Sequence, residues 1–398
     1  MPQPHQPLKG IRVLAVEQFG AGPYGSMFLA DLGAEVIKIE NRQFGGDPAR
    51  QTGSHLLSED DSAYFQAFNL NKKSVTLDLK SESGQQILHK LVATADVMWN
   101  NLRGNQPARL GLDYASLKAV KSDIVCTHIS AYGRDNDRAD WPGYDYLMQA
   151  ECGFLDLTGE PDAPPARFGL SMIDFMTGVV AGMGTLAALM GRSREGGCDV
   201  DVSLFDVALH QLTYPGTWYM NHGIRTGRIA RSAHPANTPV QLYTTGDGWI
   251  FIMCMTEKFW RLLLETMGRE DLAEDPRFVS MADRRENRDA LTGVLDAIFA
   301  EDSTASWIER LQTRVPVAPV YDLPDALDNP FVQQVDMIQQ MPHPHAGSLR
   351  ALRNPIRLEG HRLPGSPGHG LGQDNAEILG EELGLADSLE ALKNNKVV

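Results

Sequence analysis

The chain has 398 residues, 42% apolar and 22% charged, and carries a formal charge of −15. That length exceeds what one core usually holds, so two domains are expected; the acidic balance excludes a nucleic-acid or anionic-membrane surface built from clustered lysine and arginine. The four cysteines, Cys126, Cys152, Cys198 and Cys254, form no C-x-x-C pair and have no histidine at ligand spacing, so reduced thiols and no metal site are expected.

Residues 1–7 lack a basic segment followed by an apolar core, so no signal peptide is expected. Residues 11–16 read as a strand, Gly20-Ala21-Gly22-Pro23-Tyr24-Gly25 as a turn, 27–32 as a helix ending at Gly33, and 34–40 as the next strand. This βαβ unit contains G-x-G-x-x-G and ends on Glu40, which admits a dinucleotide-binding reading and an NAD-dependent oxidoreductase. Against it, Pro23 removes one of the backbone donors such a turn supplies.

Residues 71–80 form a basic turn entering a strand, 85–95 an amphipathic helix, and 96–99 another strand with Asn101, Leu102 and Arg103 directly after it. Loops at the carboxyl ends of strands are where ligands sit in open α/β sheets. A helix over 114–120 and a strand over 124–129 complete a second alternation. His128 lies inside that apolar strand and reads as a core residue.

At 167–178 a lone carboxylate, Asp174, stands between two apolar runs. The run 175–190 reads as a helix apolar on all sides, hence buried, and it is short for a membrane span and broken by glycines. A cytoplasmic protein is expected. Asp174 falls where free N–H groups of a helix start favour an anion, and both a capping and a reactive role fit that position. A strand over 199–204 precedes a helix from 205.

The composition turns basic and loop-like over 223–237, with Arg225, Arg228, Arg231 and His234, and a domain boundary is placed there. A hairpin around Asp247-Gly248 follows, then helices over 258–267, 285–300 and 303–313 and a short apolar run at 315–320. The tail is rich in proline and glycine and carries a helix at 376–383. The fold class is α/β: a large Rossmann-like βαβ domain over 1–225, a smaller α+β domain over 226–329, and a return of 330–398 to the first. No Ser-His-Asp signature, H-E-x-x-H or P-loop is present.

Four stretches carry a resemblance: the opening from the Gly20-Ala21-Gly22-Pro23 turn through DLGAEVIKIE at 31–40 to Gly45-Gly46-Asp47, the segment 167–178, residues 196–206, and the run 315–320. In these the chain resembles the class III CoA-transferases, the formyl-CoA and carnitine CoA-transferase family. The resemblance implies that Asp174 is a nucleophile and that no cofactor is tightly bound. It implies acyl-CoA and a small carboxylic acid as substrates, and an interlocked homodimer with the active site between subunits. It sets Gly20, Ala21, Arg42, Leu77, Asp78, Leu79, Lys80, Asn101, Leu102, Arg103, Arg109, Gly143 and Tyr144 against CoA, with Lys72 and Lys73 as further cations at strand ends. One departure is Asn41 after Glu40, where many relatives have arginine or proline; whether the following Arg42 takes that contact is open from the sequence.

The α-methylacyl-CoA racemases resemble the chain too, but they carry a histidine in the place of Tyr144. Tyrosine, with a reference pKa of about 10, is a poor base at neutral pH. Trp218, Tyr219 and Met220 either line an acyl pocket or simply pack. Arg225, Arg228 and Arg231 either receive the far carboxylate of a dicarboxylate such as succinate or are surface charges. Residues 246–248 and the Met255-Thr256 turn are candidates for a second domain that closes over the acyl end.

Overall fold

A computed structural model describes residues 5–398; residues 1–4, part of the stretch read for a signal peptide, lie outside the described residues. Strand β1 (Arg12–Val16) is an apolar run whose Val13, Leu14 and Ala15 are fully buried, as in a strand covered on both faces. Helix α1 (Ala21–Asp31) carries the chain to β2 (Glu35–Glu40), parallel to β1 in the register Val13↔Val36. Helix α2 (Ala63–Asn69), capped by Ser62, leads to β3 (Lys72–Thr76), parallel to β2. After α3 (Glu82–Ala93), β4 (Val97–Asn100) pairs with the free side of β1, and β5 (Val125–Ser130) and β6 (Cys198–Ser203) follow outward, all parallel. The strand order is therefore β3-β2-β1-β4-β5-β6, which reverses direction between β1 and β4.

Leu14, Ile37 and Met98 of this sheet meet Leu88, Leu91 and Val92 of α3 and Ile378, Leu379, Val397 and Val398 near the C-terminus. Each large aliphatic side chain withdrawn from water contributes about 1.5–3 kcal/mol, so these few contacts fasten the last segment to the sheet. The chain divides into two compact units. One holds the chain up to Cys152, Gly169–Thr213 and Phe331–Val398; the other holds Gly153–Phe168 and Tyr214–Pro330. The division falls at 213/214, ahead of the 225/226 read from composition, and the turn-rich 153–168 belongs to the second unit.

Helix α4 (Asp145–Glu151) precedes the long α5 (Met172–Glu195). The expectation that α5 is buried all round fails: Ile173, Thr177, Gly178, Ala181, Gly182 and Thr185 face inward, whereas Met172, Met176, Val179, Met183 and Met190 are exposed. Uniform apolarity does not choose a face; the small residues do, by letting backbones approach. A Cβ on Gly25 would lie 2.4 Å from Gly178 O, and one on Gly178 2.5 Å from Ala21 O. At 24 residues α5 is also longer than the run read from sequence and matches a bilayer span in length and hydropathy, yet it packs on α1, β5 and β6.

In the second unit, β7 (Val240–Thr244) and β8 (Trp249–Met253) form the antiparallel hairpin expected around Asp247-Gly248, and β9 (Val317–Pro319) pairs with β8. Helices packed around Trp260, Leu295, Phe299 and Trp307 cover it. The single helix expected over 285–300 is two, Met281–Glu286 and Arg288–Phe299, broken at Asn287. Arg231 pairs with Asp296 at 2.7 Å and Arg228 donates to Ala163 O, so both are engaged within the unit; Arg225 is exposed.

Candidate active site

Loops leaving adjacent strands diverge where strand order reverses, and the crevice so formed is the usual ligand site of an open α/β sheet. Here it is a cleft of about 330 Å³. Gln18, Phe19, Gly20 and Ala21 follow β1, Asn101, Leu102, Arg103 and Gln106 follow β4, Ser130 and Ala131 lie at the end of β5, and Trp141, Gly143 and Tyr144 precede α4. Asp174, from the first turn of α5, is the only carboxylate among the lining residues, and Arg103 the only cation.

Asp174 does not cap its helix. Asp145 does: its Oδ2 accepts the Ile173 N–H at 2.7 Å and the Asp174 N–H at 3.0 Å, while its Oδ1 accepts from Gln149 Nε2. The anion favoured by the helix start is thus supplied from α4, and the Asp174 carboxylate is left with no hydrogen-bond donor among the described residues. Burial, and secondarily the Asp145 charge, push the Asp174 carboxyl up to about 7.

Gly20 leaves room for that carboxylate, since a Cβ there would lie 2.9 Å from Asp174 Oδ2. On the α2 side, Tyr64 has its hydroxyl pKa raised by burial and then by the Asp174 charge. Tyr24 and Phe175 pack with ring centroids 4.8 Å apart, and Phe68 lies 5.7 Å from Phe175.

The loop carrying Gly20 is strained. Phe19 has φ of 59°, a left-handed backbone that disfavours a side-chain-bearing residue by roughly 1–2 kcal/mol. Its N–H donates to Asp47 Oδ1 at 3.1 Å. Beneath the loop lie three buried ion pairs, Glu17–Lys72 at 2.7 Å, Lys38–Asp47 at 2.9 Å and Glu40–Arg50 at 2.7 Å. Although Lys38 and Asp47 are close, Asp47 Oδ2 accepts no aligned hydrogen bond, so the attraction there is chiefly coulombic.

A family model described as CoA-transferase family III matches residues 8–375. The chain belongs to this family. The transferase is 32% identical over 372 residues to an acetyl-CoA:oxalate CoA-transferase of Acetobacter aceti, covering 92% of this chain and 93% of the relative. It is 30% identical over 389 residues to a succinate–glutarate CoA-transferase of Agrobacterium fabrum, covering 96% and 97%. A CAIB/BAIF family protein from Brucella suis has a crystal structure that superposes with a TM-score of 0.82 at 32% identity, covering 95% of this chain and 99% of that one. The chain is an enzyme, a class III CoA-transferase, and such enzymes use CoA thioesters as substrates.

In the transferase, Gly20, Ala21, Asn101, Leu102, Arg103, Gly143 and Tyr144 line the cleft with Asp174, whereas Arg42, Leu77, Asp78, Leu79, Lys80 and Arg109 do not. Leu77 and Leu79 are buried in the core. Asp78 accepts from Asn41 Nδ2, and Arg42 donates to Leu371 O; Lys80 and Arg109 are exposed. The CoA-binding roles of Lys72 and Lys73 are corrected: Lys72 is buried against Glu17, and Lys73 pairs with Glu35 and Glu377.

The dinucleotide reading also falls. Gly20 alone is the N-cap and residues from Ala21 are helical, so Gly22 and Gly25 serve close packing against Asn101 and Gly178. Both Glu40 oxygens are taken by Arg50, Ser74 and the Asp47 amide, which leaves none for a ribose. Sequence reasoning missed Gln18, Phe19, Gln106, Trp141 and Asp145. Asp145 directly follows Tyr144, but nothing in the sequence marks it as the cap of α5. His128 is a satisfied core residue, held by Asn100 and by Asp199 at 2.8 Å.

Proposed function

We propose that the transferase moves CoA from an acyl-CoA donor to a free carboxylate through acyl and CoA adducts on Asp174, with short dicarboxylic acids as the donor class. One observation carries this reading: a carboxylate without hydrogen-bond donors, raised in basicity, in the wall of a cleft at the switch point of the sheet. A solvated or ion-paired carboxylate is a weak nucleophile, and this one is neither.

An Asp174 oxygen attacks the thioester carbonyl, the C–S bond breaks, and CoA thiolate leaves a mixed anhydride on the enzyme. The thiolate then attacks the Asp174 carbonyl, releasing the donor acid and leaving an aspartyl-CoA thioester. The acceptor carboxylate displaces thiolate to form a second anhydride, and thiolate takes the new acyl group, restoring Asp174. No net proton is gained or lost. The Ala21 N–H, at the start of α1 and in the cleft wall, makes no hydrogen bond within the described chain and is available to the oxyanion.

The dicarboxylate class rests on the relatives that act on oxalate and on succinate and glutarate. A homodimer is part of the proposal, supported by the exposed stripe on α5. Mass spectrometry of the intact protein after incubation with succinyl-CoA or oxalyl-CoA tests it. A CoA adduct on the peptide bearing Asp174, absent in Asp174→Ala, is expected; turnover by Asp174→Ala rejects the reading.

A further inference from the structure

Resting on that reading, we infer that Asp47, which touches neither the cleft nor Asp174, is a positioning residue for the transfer. It pins the left-handed Phe19 amide and so holds Gly20 and Ala21 against the reacting carboxylate.

Asp47 is 3% exposed and does not line the cleft. Its Oδ1 accepts the Phe19 N–H at 3.1 Å and the Ala49 N–H at 2.9 Å, and its own N–H donates to Glu40 Oε2 at 2.9 Å. The second oxygen faces Lys38 at 2.9 Å, and Lys38 also donates to Glu17 O at 3.0 Å, two residues before Phe19. Asp47 and Lys38 therefore grip the loop at 17 and at 19. The next residue, Gly20, is the one whose missing side chain makes space for Asp174. A phenylalanine left to itself relaxes out of φ 59°, and relaxation there carries the Gly20 and Ala21 backbone with it. Asp47 also caps the turn Pro48–Gln51 through the Ala49 N–H and offsets the charge of buried Lys38.

Removing Asp47 alone strands a buried lysine, so the test uses the double variants Lys38→Met/Asp47→Ala and Lys38→Met/Asp47→Asn. Both remove the charge pair, but only asparagine retains an acceptor for the Phe19 N–H. The asparagine double is expected to exceed the alanine double in kcat by between about tenfold and a hundredfold, the scale of a small misplacement of reacting groups. KM for acyl-CoA is expected to match between the two, while the alanine double melts at a lower temperature because the Phe19 and Ala49 N–H groups lose their acceptor. The rate of Asp174 adduct formation, followed by mass spectrometry, should recover with kcat. Equal adduct rates in the two doubles overturn the role of Asp47 while leaving the transferase mechanism standing. Wild-type enzyme that forms no Asp174 adduct overturns both.

Discussion

Asp145 accepts the backbone N–H of Asp174 at 3.0 Å, so one acid neutralises the helix start while the other stands beside it without a donor. This sets the pH behaviour. Asp174 is raised from 3.8 to about 7, so the carboxylate proposed to react is lost as pH falls through about 7. Below that point kcat/KM should fall about tenfold per pH unit. Asp145→Asn keeps an acceptor for both amides and removes the charge, which moves the acid limb to lower pH. A limb that stays in place across a pH titration counts against this pairing.

The same shift has a consequence for stability. An acid whose folded pKa lies above its unfolded value destabilises the folded state when ionised, fully so above about pH 7, and the penalty fades as pH falls toward 3.8. Asp174→Asn should therefore melt at a higher temperature than wild type above neutral pH, with the gain vanishing in acid. Identical melting curves on the alkaline side argue against an undonated carboxylate.

Gly20→Ala probes the space beside the nucleophile. The added methyl would sit 2.9 Å from Asp174 Oδ2, and the cheapest relief is rotation of that side chain rather than movement of backbone. Stability should change little, while kcat falls by about a hundredfold as the oxygen leaves its attacking position. A variant with wild-type kcat shows that Asp174 tolerates another rotamer.

Arg103 is exposed, lines the cleft and has no ion-pair partner among the described residues. Its guanidinium suits a phosphate of CoA. Arg103→Ala should raise KM for acyl-CoA about tenfold, the worth of one charge-assisted contact, with kcat nearly unchanged. A fall in kcat at constant KM places Arg103 at the reacting centre instead.

Legibility in the sequence followed burial on two faces. Strands β1, β2, β4 and β5 were readable because Val13-Leu14-Ala15, Val36-Ile37, Val97-Met98-Trp99 and Val125-Cys126 are continuous apolar runs. Lys72 was misread for the converse reason. A lysine in a strand signals an exposed edge, and only tertiary structure brings Glu17 to meet it. Asp145 as the cap of α5 was equally invisible, since capping from another helix leaves no spacing rule. Asp174 stood out as a single charge between two apolar runs, but its position fitted capping and reaction alike, and only the family resemblance chose between them.

The exposed face of α5 yields the last prediction. Met176, Val179, Met183 and Met190 are exposed, Met183 by 65% and Met190 by 81%, and recur at intervals of three, four and seven residues, the spacing of a helix seam. Single exposed apolar residues need no explanation, but an aligned stripe on a helix whose other face already packs on α1 and the sheet does. Burying each side chain against a second copy would contribute about 1.5–3 kcal/mol. Met183→Glu with Met190→Glu should therefore weaken self-association by at least about a hundredfold. Sedimentation velocity should show a dimer for wild type and a monomer for the double variant, with circular dichroism unchanged because neither side chain enters the core. A wild-type chain that sediments as a monomer at micromolar concentration defeats the homodimer, whatever the variant does.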